Sequence, residues 1–371
     1  MIYFDNAATT KPSQIVLDIY NRTSAECWFN ASSPHKLGTK ALNLFQKAKA
    51  LVTNNLKTQD HNVIFTSGAT EANNIAIYGI CNKYINQNAR IITSKIEHPS
   101  VLNCFKDLEN KGFEVIYLDT LNDGTVDLKM LKDSLNNSTV LVSIMWVNNI
   151  VGSINNIKEI INLIKPYKKA KLHIDAVQGI GKIPLTFDVN DVDLMSISSH
   201  KIHGIKGAGC LIYKNNINLD IFLKGSNQQL TKSGTIDLAG SVACAKSIDV
   251  SFKKINEVVE HVKKIKSYLT SELNSLDYIT INSSDNSSPY ILNFSYYNLY
   301  SETLMHYFEE NDIYVSISSA CNDKQRKPER TVLEKTKNEQ LALTSIRLSF
   351  NEDNTLDEAK KFIEVLKKYR K

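Results

Sequence analysis

The sequence predicts an α/β protein with a large, mostly parallel sheet wrapped by helices, followed by a smaller α+β unit. Up to about residue 237, short β-branched runs alternate with segments in which apolar residues recur at intervals of three and four. Beyond that point one long helical stretch leads into mixed strand-like and helical segments. A chain of 371 residues also suits two domains better than one.

The first part contains the strands of the predicted large sheet. Segments rich in Val, Ile and aromatic residues, each four to nine residues long, are typical of buried strands. The predicted strands are 62–66, 89–94, 113–118, 139–147, 171–176, 193–198 and 209–213. Amphipathic segments such as 71–85 and 157–169 predict helices between them, as a parallel sheet requires.

The second part has a different pattern. Residues 237–276 predict one long helix, and residues 278–284, 290–297 and 346–350 predict strands, with helices over 302–311 and 356–371. We therefore expect a large domain over 14–254 and a small domain formed by 1–13 and 255–371.

Composition excludes several classes of protein. The 44 basic and 39 acidic residues are interspersed, so no basic tract indicates a nucleic-acid partner. No run of about 18 apolar residues indicates a membrane span, and the N-terminus lacks the pattern of a secretory signal. The six cysteines lie far apart, without a C-x-x-C pair. We expect a soluble, cytoplasmic protein with reduced thiols.

Polar residues follow several predicted strands, where open α/β sheets bind ligands. Ser67–Thr70 lie between a strand and a helix, and such a turn can hold a phosphate or simply cap the helix. Asp175 and Gln178 follow another strand, where a carboxylate is commonly only a helix cap. His98 precedes Pro99 at a helix start, a position that also suits a structural histidine.

The segment SSHKIHGIKGAG (198–209) is the most informative. Its histidines, His200 and His203, have no matching carboxylate or thiolate spacing nearby, so a zinc site is not expected. Lys201 follows a strand and precedes a glycine-rich turn, which suits a buried amine. A lysine can form a Schiff base with pyridoxal 5′-phosphate, an aspartate can pair with the pyridine nitrogen, and a strand-to-helix turn can hold the phosphate.

Motifs along nearly the whole chain resemble those of one family. They are YFDNAATT (3–10), NASSPHKLG (30–38), FTSGATEANN (65–74), EHPSVL (97–102), VNNIVG (147–152), HIDAVQ (173–178), SSHKIHGIKGAG (198–209), KSGT (232–235), SSAC (318–321) and TSIRLSF (344–350). In this order they resemble the NifS-like cysteine desulfurases, which belong to the class-V aminotransferase group of pyridoxal-phosphate enzymes with fold type I. The resemblance implies a seven-stranded type of large α/β/α domain.

The resemblance also implies roles for single residues. Lys201 would carry the cofactor as a Schiff base, Asp175 would keep its pyridine nitrogen protonated, and His98 would stack on the ring and assist proton transfer. The remaining cofactor-binding residues, implied to contact the ring substituents or the phosphate, are Asn149, Gln178, Ala69, Thr70, Ser198, His200 and Thr235, the last from the partner subunit of a homodimer.

The substrate side of the implied site centres on a thiol. Cys321, on a loop of about 318–330, would attack the sulfur of bound L-cysteine, and the basic residues that follow it would favour the thiolate. Arg347 would bind the substrate carboxylate, with Asn30 also on the substrate side. The products would be L-alanine and a persulfide on Cys321. Either Lys201 or His98 would remove the α-proton.

Some residues depart from the family pattern, and they leave alternatives open. Ile150 stands where a glutamate is usual, Lys232 where an arginine is usual, and Ser318 where a glycine is usual. The expected partner is a sulfur-acceptor protein, either an iron–sulfur scaffold or a tRNA-thiolating enzyme. A class-V aminotransferase or lyase acting on another amino acid, a selenocysteine lyase, and an inactive partner subunit are the alternatives.

Overall fold

The structure is a computed structural model that describes residues 1–220, 225, 232–317 and 327–369. Within these residues the strands are β1 (Ile2–Tyr3), β2 (His61–Thr66), β3 (Arg90–Ser94), β4 (Glu114–Leu118), β5 (Thr139–Met145), β6 (Lys171–Asp175), β7 (Leu194–Ser198), β8 (Gly209–Lys214), β9 (Ile279–Ile281), β10 (Ile291–Tyr296), β11 (Ile313–Tyr314), β12 (Ser316–Ile317) and β13 (Ser345–Ser349). The helices are α1 (Gln14–Glu26), α2 (Lys36–Asn55), α3 (Ala69–Cys81), α4 (Pro99–Asn110), α5 (Leu128–Ser134), α6 (Ile157–Ile164), α7 (Leu238–Asn274), α8 (Ser301–Glu310), α9 (Arg330–Thr336), α10 (Glu339–Leu343) and α11 (Leu356–Lys368).

The large sheet has seven strands in the described part of the chain, in the order β2-β8-β7-β6-β5-β3-β4. The pairs among β7, β6, β5, β3 and β4 are parallel, whereas β8 runs antiparallel to both of its neighbours. Every residue of β5 is buried, as expected for a strand with helices on both faces. The predicted mostly parallel α/β/α architecture is confirmed.

The antiparallel β7–β8 pair determines where the glycine-rich segment lies. β7 ends at Ser198 and β8 begins at Gly209, and these two residues face each other in the register. Residues 199–208 therefore form one connection at the carboxyl end of β7, at the same edge of the sheet as the ends of β5 and β6.

A smaller α+β unit follows, as predicted. Strands β12, β13, β10 and β9 form an antiparallel sheet, and β1 pairs in parallel with β11, so the N-terminal segment joins this unit. Its core contains closely packed aromatic rings, with the Phe308 and Phe362 centroids 4.8 Å apart. Helix α7 continues through residue 254, so the predicted boundary falls inside a helix. The domain limits remain a prediction.

Helix α7 is the longest described helix and is long enough to span a bilayer, but the surface of its second half is polar. In the described ranges no helix combines the length and the apolar character needed to cross a bilayer.

Candidate active site

A cavity of about 730 Å³ opens at the carboxyl ends of β5, β6 and β7. It is closed on one side by the N-terminus of α3 and on another by the N-terminal segment around Ala7. Ten of the predicted site residues line it: Ala69, Thr70, His98, Asn149, Asp175, Gln178, Ser198, His200, Lys201 and Arg347.

Lys201 ends a short 3-10 turn that follows β7. Its Nζ donates to the carbonyl oxygens of Ala7 and Ala8, both at 2.7 Å. Burial, and after it the nearby positive charge of Arg347, lowers the pKa of Lys201 to about 8, although Asp5 and Asp175 oppose this. The site therefore holds a lysine whose neutral, nucleophilic form is accessible near physiological pH.

Two glycines of the same connection permit close packing. A Cβ on Gly204 would lie 1.8 Å from Oγ of Ser199, and one on Gly209 would lie 2.8 Å from Cα of Gly68. Gly209 thus lets the start of β8 pass directly beneath the turn that precedes α3. The glycines bring the lysine-bearing connection and the α3 N-terminus together.

Asp175 ends β6 and is buried. Its Oδ2 accepts a hydrogen bond of 2.9 Å from Nδ2 of Asn73, and its Oδ1 accepts one of 3.1 Å from the backbone N–H of Val177. Nδ2 of Asn73 also donates to Oγ of Ser100 at 2.9 Å. A buried carboxylate held in this way can bind a protonated ring nitrogen.

His98 is the N-cap of α4. Its Nδ1 accepts from the backbone N–H of Ser100 at 3.1 Å, so the neutral ring carries its proton on Nε2. Desolvation lowers the pKa of His98, Asp175 opposes this, and Lys201 and Arg330 add to it. At neutral pH His98 thus presents an N–H donor rather than a free basic nitrogen.

The N-terminus of α3 forms a cradle beside these groups. The φ angle of Gly68 is +150°, which allows the chain to turn into the helix, and only Oγ of Ser198 lies within 4 Å of the position of a Cβ at residue 68. The first backbone N–H groups of α3 precede the first intrahelical bond, from Ala72 to the Gly68 carbonyl. With Lys206 also lining the cavity, this end of the site is suited to an anion.

His200 lies next to the cradle. Burial, and after it the positive charge of Lys201, lowers the pKa of His200 to about 4, so its ring is neutral at physiological pH. Nδ1 of His200 lies 3.1 Å from Oγ1 of Thr9. The ring can therefore contribute a neutral hydrogen bond to a bound anion.

Arg347 lies in the middle of β13 and is 7% exposed. Its Nη2 forms an ion pair with Oδ1 of Asp5 at 2.6 Å, and its Nη1 donates to the carbonyl of Asn149 at 2.9 Å. Its Nε is buried and has no partner among the described residues. The guanidinium is thus fixed at the cavity with capacity for an incoming carboxylate.

Two predicted site residues do not line the cavity, and a third lies outside the part of the chain that the structure describes. Thr235 is exposed and lines a neighbouring cavity of about 180 Å³, which shares Ser67 and Gly207 with the main one. Asn30 is exposed, and its Oδ1 accepts from the backbone N–H of Ser32 at 3.0 Å. Cys321 lies outside the described residues.

Two of the three residues that depart from the family pattern lie in the described part of the chain, and each contacts neighbouring residues there. Nζ of Lys232 pairs with Oε1 of Glu71 at 2.8 Å, and Oε2 of Glu71 accepts from the backbone N–H of Ser67 at 2.6 Å. Ile150 packs against a small apolar cluster that includes Val151. Ser318 lies outside the described residues.

Several residues at the site were not identified from the sequence. Asn73, Ser100, Lys206 and Asp5 line the cavity or bind residues that do. All four fall inside the motifs, at 3–10, 65–74, 97–102 and 198–209, which is the signal that could have identified them. In the described ranges no cluster of three or more His, Cys, Asp or Glu side chains could hold a metal ion.

Comparison with known proteins gives a consistent result. The family model for class-V aminotransferases matches residues 2–362. A NifS/IcsS protein homolog of Lactobacillus delbrueckii subsp. bulgaricus is 39% identical over 98% of this chain and 95% of its own. Cysteine desulfurase IscS of Buchnera aphidicola is 34% identical, covering 95% of this chain and 89% of that one. A solved structure of a NifS-like protein superposes with a TM-score of 0.91 at 31% identity, covering 98% of this chain and 97% of that one.

Proposed function

The chain belongs to the class-V aminotransferase family, and from this premise we propose that it is a cysteine desulfurase that removes sulfur from L-cysteine and releases L-alanine. Relatives that carry this name are similar over nearly the whole chain. The observation that carries the proposal is the meeting of a buried amine, a buried carboxylate, an anion cradle and Arg347 in one cavity.

The cofactor of this family is pyridoxal 5′-phosphate, and the donor set of the cavity fits it. Lys201 would hold the aldehyde carbon, Asp175 the pyridine nitrogen, and the α3 N-terminus with Ser198 and His200 the phosphate. When bound, the cofactor supplies an electron sink that makes the bonds of the substrate α-carbon breakable.

The chain's own groups have separate tasks in the reaction. Lys201, whose pKa is lowered to about 8, is suited to accept the α-proton. His98 is the weaker candidate for that task, because its Nδ1 is engaged by Ser100 and its Nε2 carries a proton. Arg347 would bind the substrate carboxylate, which fixes the side chain of the substrate relative to Lys201.

The sulfur would leave the substrate through Cys321. In this step the Cys321 thiolate attacks the substrate sulfur, a sulfur–sulfur bond forms, and the carbon–sulfur bond breaks with its electron pair passing to the substrate carbon. Protonation of that carbon leads to alanine, and the persulfide remains on Cys321. The role of Cys321 is supported by its place in the motif at 318–321.

The assembly and the acceptor are part of the same proposal. We propose a cytoplasmic homodimer in which Thr235 of the partner subunit reaches the cradle, supported by the exposure of this residue beside Ser67. The persulfide would pass to an acceptor protein that serves iron–sulfur cluster assembly or tRNA thiolation. The five described cysteines are free and buried, which agrees with a reducing compartment.

The test is the yield of sulfide and alanine from L-cysteine in the presence of a reducing thiol. We expect equal yields of the two products from the wild type and neither from Cys321→Ala, whereas Cys27→Ala, a matched change at a buried thiol, keeps both. Alanine formation that survives in Cys321→Ala would favour another lyase, and transamination products would favour an aminotransferase. Turnover with selenocysteine alone would favour a selenocysteine lyase.

A further inference from the structure

Lys182 is a buried lysine that the proposed reaction does not use. Lys182 is only 6% exposed, and no carboxylate within the described ranges forms an ion pair with it. A buried ammonium without an anionic partner is costly, so its hydrogen bonds indicate what it does in the structure. Its Nζ donates to Oε1 of Gln178 at 2.6 Å.

This bond fixes the orientation of the Gln178 carboxamide. Because Nζ of Lys182 donates to Oε1 of Gln178, Nε2 of the carboxamide lies on the opposite side. There Nε2 donates to the carbonyl oxygen of Ala7 at 3.0 Å, an acceptor that would repel Oε1. Gln178 lines the main cavity. Nε2 has a second N–H, which has no partner among the described contacts, and this is the group that Gln178 can offer to a ligand.

Lys182 also belongs to the immediate surroundings of Lys201. Both residues line a cavity of about 30 Å³, whose described lining has Lys201 in common with that of the main cavity. Tyr290 covers Lys182, with Nζ of the lysine 5.9 Å from the ring centroid. Burial, and after it the positive charges of Lys201 and Arg347, lowers the pKa of Lys182 to about 7. The group thus lies behind the site, in a position to act on it without touching the ligand.

We propose that Lys182 is a positioning residue that holds the Gln178 amide with its N–H toward the cavity, and so strengthens binding of an acceptor oxygen on the cofactor ring. The inference rests on the proposed function, because it takes pyridoxal 5′-phosphate as the ligand. The proposal assigns the effect of Lys182 on binding to its contact with Gln178, so removing Gln178 should remove most of that effect. That dependence separates a positioning role from a general contribution to stability.

The test is the dissociation constant of pyridoxal 5′-phosphate, measured by equilibrium titration of the cofactor-depleted protein. We expect Lys182→Met to weaken binding about tenfold, as for the loss of one oriented hydrogen bond. Lys182→Gln, which offers both a donor and an acceptor to Gln178, is a second variant expected to weaken binding in the same direction. In a Gln178→Ala background we expect Lys182→Met to change the constant less than about twofold.

Lys266 provides a matched control. It is also a lysine whose pKa burial lowers to about 8, but its Nζ donates to the carbonyls of Ser287 and Ser288, which do not line the main cavity. We expect Lys266→Met to leave the dissociation constant unchanged. The inference would be overturned if Lys182→Met weakened cofactor binding tenfold in the Gln178→Ala background as well. It would also be overturned if Lys182→Met left binding unchanged in the otherwise wild-type protein. Failure of the wild type to bind pyridoxal 5′-phosphate would overturn the proposed function itself, and the inference with it.

Discussion

Arg347 and Asp5, which are separated by 342 residues, form an ion pair of 2.6 Å at the cavity. Strand β13 carries the arginine, and the N-terminal segment carries the aspartate, which bridges to Ser349 of the same strand. The aspartate engages Nη2 and the Asn149 carbonyl engages Nη1, while Nε has no partner in the described part of the chain. The pair therefore orients the proposed carboxylate-binding group before the substrate arrives.

We predict that Arg347→Lys raises KM for L-cysteine by about tenfold or more, because an ammonium cannot bind a carboxylate through two parallel hydrogen bonds. Steady-state kinetics measure this change. Arg90→Lys is a suitable control, since Arg90 also binds a carboxylate, that of Glu114, but lies at the beginning of β3. A normal KM for Arg347→Lys would show that the substrate carboxylate binds elsewhere.

The lowered pKa of Lys201 predicts a pH dependence of stability in the cofactor-free protein. Its pKa is about 8 in the folded protein and 10.5 as the ordinary value, so between these values the unfolded chain binds more protons. The free energy of unfolding therefore increases as pH rises from about 8 to 10.5, because Lys201 loses its proton first in the folded protein. Below that window the buried charged amine destabilises the folded protein. We predict that Lys201→Met stabilises the cofactor-free protein at pH 7 by about 1–3 kcal/mol.

Urea denaturation at several pH values measures this effect. The difference between Lys201→Met and the wild type should shrink as pH rises through the same window. A difference that is independent of pH would mean that the burial of the charged amine is not its origin.

The hydrogen bonds of Asn73 lead to a prediction about turnover. Its amide bridges Asp175 and Ser100, so Asn73→Ala leaves the Asp175 carboxylate less firmly held. We expect kcat to fall about tenfold with KM little changed, because Asn73 is not among the residues that line the cavity. The adjacent Asn74 donates only to the carbonyl of Thr70 among its described contacts, so Asn74→Ala should retain kcat. Equal losses in both variants would point to a general defect of helix α3.

The close contacts around Gly209 lead to a prediction about the free energy of unfolding. A Cβ there would lie 2.6 Å from the Ile197 carbonyl oxygen and 2.8 Å from Cα of Gly68, and backbone atoms cannot move away cheaply. We expect Gly209→Ala to lower the free energy of unfolding by about 2–4 kcal/mol. Gly112→Ala, at φ +91° with nothing within 4 Å, should cost only about 1 kcal/mol. Denaturant unfolding compares the two, and similar values would contradict the close approach of β8 to the α3 turn.

The strands of the large sheet could be predicted from the sequence because each is a short segment rich in β-branched and other apolar residues. The predicted strand 62–66 corresponds to β2, and the predicted strand 209–213 corresponds to β8. The antiparallel direction of β8 is not encoded in its composition. It follows from the short connection from β7, which leaves no room for a crossover helix.

The two-residue strands β1, β11 and β12 could not be predicted, since they depend on tertiary pairing rather than on a local pattern. The same limit applies at the site. Asn73 lies within an apolar helix, and its role depends on Asp175 being brought to it from a strand about a hundred residues later along the chain.

The most direct test of the account is to map the sulfur after a limiting amount of L-cysteine reacts with the protein in the absence of a reducing thiol. Alkylation and peptide mass spectrometry should find one added sulfur atom on the peptide that contains Cys321, and none on the peptides of Cys27 or Cys104. Sulfur release without any modification of Cys321, or its accumulation on another cysteine, would contradict the central claim that this chain transfers sulfur through Cys321.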